Sequence, residues 1–172
     1  MHEAPANHTA IILAFLHEIG LRVRQQALPD ETFLPGIAID QGVLVVDPAR
    51  LRYPGDLLHE AGHLAVCAPE RRAAMHLDAG SDPAEEMMAI AWSYAAALHI
   101  GLDPAVVFHA GGYRSGGQQL VENFAQGRFI ALPMLQWVGM AFDERRAAEQ
   151  GALPFPHMQR WLRPASPAEQ AP

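Results

Sequence analysis

Asp56-Leu57-Leu58-His59-Glu60-Ala61-Gly62-His63-Leu64-Ala65-Val66-Cys67 governs how the rest of this chain is read. Pro54-Gly55 breaks the chain just before it and Pro69 closes it, which predicts one helix with Asp56 as its cap. Positions four apart on a helix share a face, one turn apart, so His59 and His63 can offer both rings to a single ion. Zinc takes imidazole nitrogen at about 2.0–2.1 Å, and this spacing permits that approach. Glu60, directly after the first histidine, is placed to take a proton from a metal-held water and pass it on. In a chain with 9 histidines, composition alone yields only ~0.03 such five-residue patterns. The apolar neighbours Leu57, Leu58, Leu64, Ala65 and Val66 make this a buried helix rather than a solvated face. His17-Glu18-Ile19-Gly20-Leu21 starts the same way but sets leucine where the second imidazole belongs, and it reads as helix surface.

A catalytic zinc ordinarily takes three protein ligands and keeps one position open. Val66 and Pro69 stand where an extended motif would need glycine and histidine, so the third ligand is sought further on, at Glu85-Glu86. With Asp82 as a helix cap and Pro83 as the first helical residue, Glu85 falls where a glutamate folds back onto the cap's amide. Glu86, about 100° further round, then looks across at the histidines. Glu86 is the favoured ligand and Glu85 the alternative.

Working outward, residues 7–28 carry a near-helical apolar period ahead of Pro29. Residues 33–39 and 43–46 are rich in β-branched side chains around Asp40-Gln41-Gly42, a hairpin signal. Residues 70–82 show no clean period and read as a loop, and 83–99 give the longest helical pattern. A short helix from Asp103 to about His109 precedes a glycine-rich loop at 111–117. Further helices are expected at 118–126, 133–142 and 158–162. Trp92, Tyr94, Phe124 and Trp137 read as core aromatics, Arg71-Arg72 and Arg145-Arg146 as solvated pairs, and Cys67 as a buried inert thiol. His76 and Asp78 read as exposed. The fold class is α+β: one mostly helical domain over residues 1–163 with a small antiparallel sheet before the metal helix, and a disordered tail at 164–172.

Composition narrows the function. The 172 residues carry 19 acids against 12 bases, all arginine, for a net charge of −7, which disfavours nucleic acid and anionic membranes as partners. Neither a basic leader nor an apolar run long enough to span a bilayer is read in the sequence, so a cytoplasmic protein is expected. One cysteine excludes an intrachain disulfide framework.

His-Glu-x-x-His, a short loop and a helix-borne glutamate resemble the gluzincin branch of the zincin metallopeptidases. The order helix, short hairpin, metal helix, glutamate helix is similar to the compact ImmA/IrrE-like group, over roughly residues 8–98, with Ile90 where that group usually carries asparagine. The resemblance implies Zn2+ on His59, His63 and Glu86, Glu60 as general base, and a peptide or protein substrate. It also implies that residues 37–39 or 43–46 form an edge strand that pairs with the substrate chain. An oxyanion needs a second donor, for which His109, Tyr113 and Arg114 beside the glycine loop are the candidates. Two rival readings are a zincin-fold regulatory module that binds zinc or a partner without turnover, and a di-iron bundle. The di-iron site needs a second Glu-x-x-His pair, which the chain lacks.

Overall fold

The computed structural model describes residues 5–29, 31–76, 82–113 and 116–165, excepting the side chains of residues 5, 6 and 113. Helix α1 (Pro5–Glu18) buries Ile12, Phe15 and Leu16. It ends ten residues short of the expected boundary, because Gly20 takes a left-handed φ of 80°. Gly20 and Leu21 then donate back to His17 and Leu16, which closes the last carbonyls of the helix. The freed residues extend into β1 (Val23–Gln25), which the periodic reading had absorbed into the helix.

β2 (Ile37–Asp40) and β3 (Val43–Val46) form the expected hairpin, in antiparallel register with Ile37 opposite Val46 and Asp40 opposite Val43. β1 adds to the other side of β3 in parallel, with Val23 opposite Leu44, so the sheet is mixed and its order is β1-β3-β2. Residues 43–46 are therefore the covered central strand, and of the two segments expected as an edge, only 37–39 is one. Along β2 the burial alternates, Ile37 and Ile39 inward against Ala38 and Asp40, which fixes one face on the core.

Helix α2 (Gly55–Val66) carries the two histidines and is buried along nearly all its length. Helix α4 (Pro83–His99) packs against it. They pack tightly at Gly62, where a Cβ would sit 2.9 Å from the Ala89 carbonyl oxygen and 3.3 Å from the Trp92 ring. Between them, residues 69–74 are helix rather than loop: α3 (Pro69–Ala74) begins with proline at a position that needs no amide donor. Its Arg72 is not solvated. The guanidinium donates to the carbonyls of Leu64, Ala65 and Cys67, closing the end of α2.

Beyond a 3-10 turn (Pro104–Val106), short helices α5 (Ala110–Tyr113), α6 (Gly117–Ala125), α7 (Leu132–Trp137) and α8 (Glu144–Gln150) cover the remaining flank. The glycines at 111–112 are thus helical, and α7 stops five residues early, leaving Trp137 90 % exposed instead of in the core. Met158 pairs as an isolated bridge with Ala141, and the residues after it are not helical. Trp92, Tyr94 and Phe124 are buried, as is Cys67. The architecture is α+β, and among the described residues no helix is long and apolar enough to cross a membrane. The tail at 166–172 and Asp78 lie outside the described residues.

Candidate metal centre

His59 and His63 stand one turn apart on α2 with their Nε2 atoms 3.1 Å apart and their rings at 89°. Glu86, in the first turn of α4, sets its carboxylate 2.9 Å from Nε2 of His63 and 3.6 Å from Nε2 of His59. Two histidines and one glutamate thus meet across the α2–α4 seam. Asp82 caps α4 by accepting from the Ala84 amide, and Pro83 follows, so the placement of Glu86 comes from the local start of that helix. Glu85 does not fold back on the cap. It points the other way, buried, and accepts a hydrogen bond from Arg71. Arg71 in turn lies 3.6 Å from the Cys67 sulfur, so it too is engaged rather than merely solvated.

Burial grades across the cluster. The His63 side chain is 6 % exposed, His59 14 % and Glu86 46 %, so the triangle opens to solvent on the Glu86 side. Hydrogen bonds from His59 and then His63 hold the Glu86 carboxyl far below the usual carboxylate range. Burial works to lower the pKa of His59, but the hydrogen bond and charge of Glu86, with Glu60 and Asp56 behind them, outweigh it and raise it. Glu60 is buried beside them, and that burial pushes its carboxyl upward. One ligand atom from each of His59, Glu60 and His63 lies within 4.8 Å of the others. The chemistry open to such a cluster is to hold a divalent cation on two nitrogens and an oxygen, with a poised base alongside.

The other expected residues fall differently. Arg114 and the side chain of Tyr113 lie outside the described residues. His109 reaches α2, but its Nε2 sits 2.7 Å from Asp56. That proton is therefore engaged and is not free for an oxyanion. Asp56 is no cap: Pro54 occupies the N-cap position and no side chain caps the helix. Asp56 lies three residues before His59 and four before Glu60, so helical spacing alone placed it on this face. The arrival of His109 from 53 residues away carried no sequence signal. His17 and Glu18, the truncated copy of the motif, are exposed on α1. No family model, curated protein or solved structure matches this chain.

Proposed function

We propose that the chain is a zinc-dependent metallopeptidase of zincin type, with His59, His63 and Glu86 as ligands and Glu60 as general base. The observation that carries this reading is the size of the ligand triangle. A tetrahedral ion bound at 2.0–2.1 Å sets its donor atoms about 3.3 Å apart. Here the two nitrogens stand 3.1 Å apart, and the Glu86 carboxylate sets one oxygen 2.9 Å from Nε2 of His63 and its other oxygen 3.6 Å from Nε2 of His59. Little movement separates that arrangement from a bound geometry, and two imidazoles with one carboxylate leave a fourth position for water or substrate.

When bound, zinc supplies Lewis acidity, which makes water a nucleophile near neutral pH and polarises the scissile carbonyl. The protein does the rest. Glu60, whose burial favours holding a proton, takes one from the attacking water and returns it to the amine nitrogen as the C–N bond breaks. The outer edge of β2, which no strand covers and where, among the described residues, only the Ile37 amide is taken, by Leu34, offers main-chain groups to an extended substrate, while β3 is already paired on both sides. The substrate is a peptide or an unfolded segment of a protein, and we place the reaction in the cytoplasm, whose reducing conditions suit the single free Cys67.

The test combines metal analysis with cleavage of a mixed peptide library read by mass spectrometry. One zinc per chain is expected. Glu60→Gln should retain the zinc while cleavage falls by about 100-fold or more. Full cleavage by that variant overturns the mechanism. A wild type that binds zinc and cleaves nothing points instead to the module without turnover.

A further inference from the structure

Helix α3 buries no side chain fully, so the core does little to fix it between α2 and α4. Its two adjacent arginines hold it instead. Arg72 donates to the carbonyls of Leu64, Ala65 and Cys67 at the end of α2. Arg71, about 100° further round, turns to the start of α4 and donates to a carboxyl oxygen of Glu85. The same Arg71 nitrogen lies 3.6 Å from the sulfur of Cys67, the C-cap of α2. One guanidinium therefore ties the end of the helix that carries His63 to the first turn of the helix that carries Glu86. Glu85 depends on this tie. Its side chain is 8 % exposed, and among the described residues Arg71 is the only hydrogen-bond partner of its carboxyl group. A buried acid without a partner is costly to keep in place, whether or not it carries a proton.

We propose that Arg71 is a positioning residue of the candidate metal centre: by holding Glu85 it fixes the phase of the first turn of α4, and so keeps Glu86 on His59 and His63. Neighbouring residues of a helix are set about 100° apart, so any rotation of that turn moves Glu85 and Glu86 together. Without Arg71, the Glu85 carboxyl finds hydrogen bonds by turning toward water, and the same rotation carries Glu86 off the imidazoles. Asp82 and Pro83 decide where α4 begins, while Arg71 decides which way its first turn faces. The inference rests on the ligand set proposed above and not on peptide cleavage.

Two measurements on the full chain test this: zinc affinity by competitive titration with a chelator, and hydrogen exchange of the metal-free protein read by mass spectrometry. Arg71→Ala should weaken zinc binding roughly tenfold, the low end for losing a group that supports the ligands. It should also speed exchange over residues 86–90 of α4. Arg71→Ala combined with Glu85→Ala should recover most of the zinc affinity, because the acid that draws the turn outward is gone. A merely structural loss would deepen with the second substitution instead. Arg71→Lys keeps a cation for Glu85, so it should fall between Arg71→Ala and wild type, and it stands in should Arg71→Ala not fold. Wild-type zinc affinity in Arg71→Ala overturns the positioning role. A double variant no tighter than Arg71→Ala overturns the route through Glu85. A wild type that binds no zinc fails the ligand set instead, and exchange then decides the tie alone: unchanged protection over residues 86–90 in Arg71→Ala overturns it.

Discussion

Adjacent glutamates have opposite fates in this protein. Glu86 meets two imidazoles, while Glu85 is buried against Arg71. Helical geometry explains why: neighbouring positions lie about 100° apart, so only one can face α2 at the seam. Glu86→Gln should therefore weaken zinc binding by more than about 100-fold, the upper end for losing a residue that merely orients a ligand. Glu85→Gln should keep one zinc per chain and show its effect in thermal stability. Competitive titration with a chromogenic chelator separates the two. Equal zinc affinities in the two variants would contradict the ligand set. That Glu86 meets His59 and His63 was legible in the sequence, because cap, proline and helical phase are local rules. The Asp56–His109 contact was not legible, since it depends on where a distant turn docks.

Among the helices and strands, what the sequence revealed was periodicity, and what it hid was termination. The residues after α1 look helical by spacing, yet a single left-handed glycine hands them to the sheet. Residues 70–82 lack any period because α3 is only six residues long and buries no side chain fully. The α2–α4 seam is the opposite case: long, buried, and formed by the helix expected between Pro54-Gly55 and Pro69 and by the longest helical pattern, 83–99. At Gly62 the carbonyl of Ala89 leaves no room for a methyl group. Gly62→Ala should push the helices apart, costing about 1–3 kcal/mol and loosening the ligand triangle that spans them. Chemical denaturation and zinc affinity should both register the change. Loss of stability without loss of affinity would mean that the triangle does not depend on this contact.

For the domain taken together, zinc should act as a folding ligand. At a free concentration near 1,000 times its Kd, a ligand specific for the native state adds about 4 kcal/mol. That corresponds to a rise in Tm of roughly 8–16 °C for a chain of this size, and a chelator should reverse it. The gain should shrink as pH falls, because zinc needs His59 unprotonated and that imidazole holds its proton more tightly than an ordinary one. The metal-free protein runs the other way. A histidine whose pKa is raised on folding stabilises fully below its ordinary value of 6.5, and the benefit fades as pH climbs through the raised one. Melting curves with zinc and with chelator should thus converge toward acid. Parallel curves from pH 5 to 8 would exclude His59 as a ligand.

The far end of α2 is finished by residues that lie almost a hundred positions later. The Arg163 amide donates to Ala65, its guanidinium reaches Val66, and its carbonyl accepts from Arg72. Trp161 likewise accepts from the Trp92 indole on α4. During synthesis, then, both helices that frame the centre emerge from the ribosome long before the strand of chain that fastens them. Until residue 163 is out, the nascent protein carries its histidines on an unlatched scaffold, so under the zinc reading proposed above the ion would be held firmly only after translation passes that point.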